Sequence, residues 1–173
     1  MLTKDDYLAF RRKYEPTTVK LVVVAESPPK SGLYFYNPEG KTSEPLFAAL
    51  MQQLGFTSKT KDEGLREFQR QGWVLVDATY EPVDGIKNRM MRNDVIERDY
   101  PLLVADLDQM LPDKSVPIIL VKKNIFDVLD KKLTADGFNV LNNGQRVSFP
   151  STGRQKEFHL QFGAILNRGT HQH

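Results

Sequence analysis

The sequence predicts a three-layer α/β/α domain built around a central, mainly parallel, four-stranded sheet. Short apolar runs rich in β-branched residues recur at residues 20–25, 72–77 and 117–121, with a shorter run at 138–141. Strands that are buried on both faces need such runs. Amphipathic helical segments separate the runs, and this alternation is typical of a parallel sheet with helices on both faces.

Length and composition indicate a single globular unit. The 173 residues fit one domain, which we expect to span residues 1–173. The absence of cysteine excludes disulfides, thiolate zinc sites and iron–sulfur clusters. No group of Asp, Glu and His has the spacing of a metal site, so we expect neither a metal nor another cofactor.

Charge and hydropathy restrict the class of partner. The net charge of +2 permits a nucleic-acid partner without requiring one. The longest apolar runs, residues 21–25 and 117–121, are far too short to cross a bilayer, and the N-terminus has no stretch like a secretory signal. We therefore expect a cytoplasmic protein without membrane contact, and we expect a monomer.

Local signals set the ends of the first two helices. Thr3 is predicted to cap a helix over residues 5–14, which has acidic residues at its start and basic residues at its end. Ser43 is predicted to cap the next helix, with Pro45 in its first turn and Gly55 at its end.

The rest of the chain alternates between apolar and charged segments. A polar stretch follows at residues 56–71, and a charged stretch at 84–99 predicts irregular structure. Further helices are expected over residues 102–111, 125–133 and 155–166.

Four loops are expected to meet at one edge of the sheet. Right-handed crossovers bring the C-terminal ends of parallel strands to the same edge, where open α/β sheets bind ligands. The loops that follow the strands are residues 26–40, 77–84, 122–124 and 149–154. Polar residues in these loops are therefore the candidates for function.

Three of these polar residues are candidate catalytic groups. Glu26 and Ser27 leave the first strand, and Asp77 ends the second. A carboxylate at this edge can orient or activate water, and Asp77 can also accept hydrogen bonds from a ligand amide. Two structural alternatives stay open: Glu26 can lie solvated in an ordinary turn, and Asp77 can cap the next turn through Thr79.

Three consecutive aromatic residues, Tyr34, Phe35 and Tyr36, lie in the long loop after the first strand. An aromatic face can stack on a flat ring such as a nucleic-acid base. The rings can equally pin the loop onto the sheet. We expect a compromise in which one ring faces a pocket and two are buried.

Residues 149–154, Phe-Pro-Ser-Thr-Gly-Arg, precede the last helix. Helix N-termini attract phosphates through unpaired amides and the helix dipole. The candidate contacts to a nucleic-acid backbone are Lys30, Ser151, Thr152 and Arg154, with the segment 87–98 as a further source of cations. A plain helix cap, which needs only Ser151 or Thr152, is the alternative.

The histidines are poor candidates for function. His159 lies within the last helix, and His171 and His173 lie on a terminal tail. The sequence also lacks the GxGxxG, P-loop and GxSxG motifs of dinucleotide, nucleotide and hydrolase sites.

Taken together, four segments resemble the uracil-DNA glycosylase superfamily in order and spacing. Residues 25–28, Ala-Glu-Ser-Pro, are similar to the Gly-polar-polar-Pro motif that ends the family's first strand. Residues 31–35 are similar to a stretch whose phenylalanine stacks on the extracted base, which implies that role for Phe35. Asp77 stands where an asparagine reads the base, and residues 149–151, Phe-Pro-Ser, resemble the family's last motif, His-Pro-Ser.

The resemblance implies a DNA partner and a base pocket formed by Phe35, Asp77 and Phe149. The sequence departs from the family in the residues that carry the chemistry. Glu26-Ser27 replaces Gln-Asp, so the water-activating aspartate is missing, and Phe149 replaces a histidine that steadies the departing base. Phenylalanine cannot donate a hydrogen bond, and an ionised Asp77 only accepts them. We therefore expect weak or altered base excision, with Glu26 or Asp77 holding the water.

Three functions stay open at this point. The first is a DNA glycosylase with an altered base preference. The second is a non-catalytic protein that binds nucleic acid or a nucleotide. The third is an α/β enzyme that acts on a small molecule, because a shared fold does not establish a shared function.

Overall fold

A computed structural model describes residues 1–170 of the chain. Its strands are β1 (Leu21–Ala25), β2 (Trp73–Asp77), β3 (Pro117–Leu120) and β4 (Asn139–Val140). They form one sheet in the order β2-β1-β3-β4, and every neighbouring pair is parallel. The predicted parallel four-stranded sheet is therefore confirmed.

Seven helices surround this sheet within residues 1–170, and none of them is long and apolar enough to cross a membrane. They are α1 (Lys4–Arg12), α2 (Pro45–Leu54), α3 (Lys61–Arg70), α4 (Arg89–Arg98), α5 (Tyr100–Met110), α6 (Lys123–Ala135) and α7 (Gln155–Thr170).

The two faces of the sheet carry separate hydrophobic layers. Along β1, Val23 and Ala25 join an aromatic-rich layer with residues of α1, α2, α3 and α7. Val22 and Val24 join a mostly aliphatic layer with residues of α4, α5 and α6. Successive strand residues point to opposite faces, so this division confirms the three-layer architecture.

The register of the central strands fixes where the functional loops begin. Ala25 lies opposite Asp77 at the end of β1 and β2, and Val24 lies opposite Leu120 at the end of β3. The three strands therefore stop at the same edge of the sheet, and the residues that follow them are brought together there.

One predicted helix cap is correct and one is wrong. Thr3 accepts a hydrogen bond from the Asp6 backbone N–H, and the Asp6 carboxylate accepts one in return, which closes a capping box. Ser43 does not cap α2, because the helix begins at Pro45, two residues after Ser43. The N-cap is Glu44, which makes no side-chain cap bond, and Pro45 occupies the first turn.

Two helices form in segments for which the sequence did not predict a helix. α3 fills part of the polar stretch and buries Leu65 and Phe68, with Thr60 as its side-chain cap. α4 fills the segment expected to be irregular; Asn88 caps it, and Ile96 is its buried residue. The prediction of irregular structure at α4 was wrong because a single buried residue leaves no apolar periodicity to detect.

Candidate functional site

The loops after β1, β2 and β3 enclose a cavity of about 370 Å³ at the predicted edge of the sheet. We call it the edge cavity. Five of the residues singled out in the sequence line it: Glu26, Ser27, Phe35, Asp77 and Phe149. The lining is largely apolar, and its charged positions are four carboxylates and the single cation Lys122, so it is suited to an uncharged organic group rather than a free anion.

Glu26 is held in the wall of this cavity by three other residues. Its Oε1 accepts a hydrogen bond from Lys122 Nζ at 2.7 Å, and its Oε2 accepts one from Asn124 Nδ2 at 2.6 Å. Arg92 Nη1 lies 3.8 Å from Oε2. Glu26 is only 7% exposed, so the alternative of a solvated turn residue is wrong.

Asp77 is a buried carboxyl group whose Oδ2 has no hydrogen-bond partner. Burial raises the pKa of Asp77 to about 7; Glu26 and Asp106 add to the rise, while Arg11 and Tyr34 oppose it. An aspartate whose pKa is near 7 accepts hydrogen bonds when it is ionised and can donate one when it is protonated. This combination of burial and perturbed pKa is typical of functional groups in a cleft.

Asp77 does not cap the following turn through Thr79, which was the structural alternative. Thr79 Oγ1 instead donates to Asp99 Oδ2 at 2.7 Å and accepts from the Glu81 N–H at 3.2 Å. Ser27 is the residue that fastens this loop, since its Oγ accepts from the Val83 N–H at 3.2 Å. Ser27 therefore has a clear structural task at the rim of the cavity.

The aromatic run is more deeply buried than expected. Tyr34, Phe35 and Tyr36 are 1%, 7% and 0% exposed, so all three rings are buried, and two of them, Tyr34 and Phe35, line the edge cavity where one was expected. Phe35 does form part of the cavity wall. Its ring, however, packs between Tyr36, Phe47 and Phe68, with centroid distances of 4.9, 6.0 and 5.3 Å. These contacts fix the ring and limit the face that it can offer to a ligand.

A second depression of about 310 Å³ adjoins the edge cavity, and we call it the cationic cleft. Six cationic side chains line it: Lys87, Arg89, Arg92, Lys122, Lys123 and Arg154. Within the described residues, no acidic side chain lines the cleft. Such a concentration of one charge attracts anions and focuses the field at the cleft.

Two polar side chains that line this cleft each carry a buried atom without a hydrogen-bond partner. Arg92 Nε and Asn124 Oδ1 are buried and have no hydrogen-bond partner. Two other cations are already paired on one side, Arg89 with Asp127 and Arg154 with Glu157, each at 2.9 Å. Arg89 and Arg154 therefore retain further N–H donors for a ligand of the cleft.

The four residues that were predicted to contact a nucleic-acid backbone divide into two groups. Ser151 and Arg154 line the cationic cleft, as expected for phosphate contacts. Thr152 and Lys30 are exposed and line neither the cleft nor the edge cavity. The backbone N–H of Lys30 donates to Asp84 Oδ1 at 3.0 Å, which ties its loop to the loop after β2.

Sequence reasoning missed Lys122, Lys123 and Asn124 as site residues, although it located their loop. Lys122 and Phe149 line both the cavity and the cleft, so they form the boundary between the two. The sequence feature that could have identified these residues is their position in the loop directly after β3. The sequence did point to the segment 87–98 as a source of cations, and three of the six come from it.

A larger cavity, of about 660 Å³, lies between α1 and α5 on the other side of Asp77. Four of the five N–H donors of its central cation, Arg11, are already engaged. The guanidinium donates to both oxygens of Asp106 at 2.7 Å, to Tyr80 Oη at 2.7 Å and to Glu15 at 2.9 Å. This network joins α1 to α5, so we assign it a structural role and place the candidate site at the edge cavity.

The histidines stay outside the candidate site. His159 Nδ1 shares a hydrogen bond with Gln53 Nε2 at 2.8 Å, and its ring packs against Phe158. His171 and His173 lie outside the described residues. Among residues 1–170, no group of three or more His, Asp or Glu residues could hold a metal ion.

Comparison with known proteins adds no assignment. No protein-family model matches the chain, and no curated protein matches it. The geometry of the cavity and the cleft is therefore what indicates the function.

Proposed function

We propose that this protein binds DNA, holding one extruded base in the edge cavity while neighbouring phosphates lie in the cationic cleft. The single observation that supports this most is the contact between the two depressions, which share Lys122 and Phe149. A nucleotide has an uncharged planar base on one side of its sugar and an anionic phosphate on the other. The paired depressions match that division.

The lining of the edge cavity suits a base that is read by a carboxyl group. Asp77 offers a buried oxygen without a partner, and the apolar walls exclude water around it. Burying a base edge against an unpaired polar atom gives discrimination, because a mismatched base leaves both groups unsatisfied. Asp77 is thus the proposed base-reading residue, and Glu26 is the proposed group that orients water.

The proposed base excision is weak. Phe149 provides no donor for a departing base anion, and Glu26 is already engaged by Lys122 and Asn124. The engaged carboxylate supports a second candidate, in which the protein binds a damaged or unpaired nucleotide without removing its base. Both candidates require the same DNA complex, and they differ only in whether the glycosidic bond breaks.

DNA binding is tested by fluorescence anisotropy over a salt series, with single-stranded and duplex oligonucleotides. The double variant Lys87→Ala, Lys123→Ala removes two exposed cations of the cleft. The slope of log K against log salt should fall by about 2, because each phosphate contact contributes about 0.9. No binding at low salt contradicts the proposal.

A matched control removes the same charge elsewhere. The variant Lys59→Ala, Lys131→Ala loses two exposed lysines that line neither the cavity nor the cleft. It should bind DNA as the wild type does. An equal loss of affinity in this variant would show that binding follows net charge rather than the cleft.

Insertion of a base is tested separately with a duplex that carries one mismatched 2-aminopurine. The fluorescence of this base rises when it leaves the stack, so the wild type should increase it. Ser31→Trp places a large ring at the exposed rim of the edge cavity and should abolish the increase while leaving the salt slope unchanged. A bound duplex without any change in fluorescence would exclude base extrusion.

A further inference from the structure

The turn between β3 and α6 holds Lys122 in a conformation that lysine rarely adopts. Its backbone has φ 90° and ψ 137°, a region in which glycine is normally found. The turn is fixed on both sides: the Lys122 N–H donates to Val147 O at 2.8 Å, and Lys122 O accepts from the Phe126 N–H at 3.1 Å. A side chain kept at a glycine-like position points to a task for that side chain.

The Lys122 side chain lies at the junction of the edge cavity and the cationic cleft. It borders both depressions and is 30% exposed. Its Nζ is 2.7 Å from Glu26 Oε1, so a primary amine and a carboxylate occupy the junction together. If the base enters the cavity and the phosphate enters the cleft, as in the proposed function on which this inference rests, the C1′ carbon lies beside them.

We propose that Lys122 is a nucleophile toward an abasic deoxyribose in DNA, and that Glu26 is the general base of the elimination that follows. Loss of a base leaves a deoxyribose that opens to an aldehyde at C1′. The Lys122 ammonium and this aldehyde condense to an iminium ion and one molecule of water, so the proton count is conserved. An amine that forms an imine with a carbonyl substrate is an established form of covalent catalysis.

The second step is an elimination that cleaves the DNA strand. The Glu26 carboxylate takes a proton from C2′, a C1′–C2′ enamine forms, and expulsion of the 3′ phosphate breaks the C3′–O bond. Water then hydrolyses the conjugated iminium, which restores the Lys122 ammonium and releases an unsaturated aldehyde at the strand end. Glu26 returns its proton to solvent. No oxidant, reductant or metal is needed.

The test is covalent trapping with cyanoborohydride, which reduces an imine to a stable amine. A labelled duplex with one abasic site is incubated with the wild type, with Lys122→Gln and with Lys131→Ala. The wild type should give a protein–DNA adduct, and peptide mass spectrometry should place it on residue 122. Lys122→Gln retains a donor toward Glu26 but has no amine, so its adduct should fall to background. Lys131→Ala, at an exposed lysine that lines neither the edge cavity nor the cationic cleft, should trap like the wild type.

A further variant separates the two chemical steps. Glu26→Gln should still form the trapped adduct, because the amine remains, but strand cleavage without reductant should be lost. The thermal transition of each variant, followed by circular dichroism, shows whether it is folded. If Lys122→Gln does not fold, the site of the adduct on the wild type decides the question by itself.

The outcomes for this inference and for the proposed function are distinct. An adduct on another lysine, or undiminished trapping by folded Lys122→Gln, overturns the role of Lys122. Binding to abasic DNA without any adduct overturns it as well and leaves the DNA-binding proposal intact. Absence of both binding and adduct overturns the two together.

Discussion

Lys122 Nζ donates to Glu26 Oε1 at 2.7 Å, which joins the turn before α6 to the residue that directly follows β1. Asn124 holds the other carboxylate oxygen at 2.6 Å. The carboxylate therefore has a fixed orientation without any contribution from its own loop. Positioning from a second strand end gives a site its precision, because the sheet itself sets the distance between the two residues.

The strained turn predicts an unusual order of stability among variants at residue 122. Lys122→Ala and Lys122→Gly both lose the contact with Glu26, but only alanine keeps a Cβ at φ 90°. We expect Lys122→Gly to be more stable than Lys122→Ala by about 1 kcal/mol, since relief of strain exceeds the entropic cost of glycine. The free energies of unfolding are measured by urea denaturation.

The neighbouring residue provides the control for that comparison. Lys123 is the first residue of α6 and is exposed. There, Lys123→Gly should be less stable than Lys123→Ala by up to about 1 kcal/mol, the reverse order, because glycine is unfavourable in a helix. If the glycine variant is less stable than the alanine variant at both positions, the turn at Lys122 carries no strain.

The buried carboxyl group predicts a pH dependence of stability. Burial raises the pKa of Asp77 to about 7, with Glu26 and Asp106 adding to the rise. In an unfolded chain the pKa of an aspartate is about 3.9. The folded protein therefore keeps a proton that the unfolded chain loses. The contribution of Asp77 to stability is present below about pH 4 and is lost as the pH rises through about 7.

Asp77→Asn isolates this contribution. The unfolding free energy of the wild type minus that of Asp77→Asn should fall by roughly 2–4 kcal/mol between pH 4 and pH 8. Carboxylates that do not interact with Asp77 titrate alike in both proteins and cancel in the difference. Asp108→Asn, at an exposed position, controls for the loss of a surface carboxylate. A difference that stays constant with pH would show that Asp77 ionises as an ordinary aspartate.

The fold could be predicted because burial leaves a strong imprint on sequence. Strands such as Leu21–Ala25 are apolar throughout, and the strand ends then locate Glu26 and Asp77. The helices that escaped prediction are the polar ones. α4 buries Ile96 and is otherwise half-buried or exposed, so its amphipathic pattern is too weak to detect.

The partners within the site could not be predicted from local signals. Glu26 meets Lys122 and Asn124 across 96 and 98 residues of sequence, and only the sheet register brings them together. The backbone conformation of Lys122 is unusual for lysine, because residues with φ near 90° are normally glycine. Departures from local rules of this kind collect at functional sites.

The exposed methionines of α4 predict a role in opening the duplex. Met90 and Met91 are 76% and 58% exposed and lie between Arg89 and Arg92, which line the cationic cleft. Apolar side chains beside phosphate-binding cations can wedge between base pairs. The double variant Met90→Ser, Met91→Ser should bind single strands normally but raise the fluorescence of duplex 2-aminopurine less than the wild type does.

A substitution on a distant helix controls for the loss of surface hydrophobicity. Leu160, on α7, is 67% exposed and lines neither the cavity nor the cleft. Leu160→Ser should leave the fluorescence response unchanged. If the methionine variant behaves like this control, α4 contributes charge alone.

The last prediction concerns uracil. Proton transfer by a positioned acid or base contributes about 10²–10⁴ in rate, and a donor to the developing anion contributes about 10²–10³. Glu26 is engaged and Phe149 cannot donate, so we expect uracil release from DNA by the wild type to be slow. Rapid release would show that other residues supply both contributions.

The pH dependence of that slow release separates two roles for Asp77. If Asp77 orients water, it acts as the carboxylate, so the rate should rise with pH through about 7 and Asp77→Asn should abolish it. If Asp77 reads the base, its protonated form donates to a uracil carbonyl, so the rate should fall as the pH rises. Asp77→Asn would then supply a permanent donor, giving faster release with no dependence on pH in this range. Glu26→Gln should abolish release in either case, and a single-turnover assay of all three proteins between pH 5 and pH 9 decides between the roles.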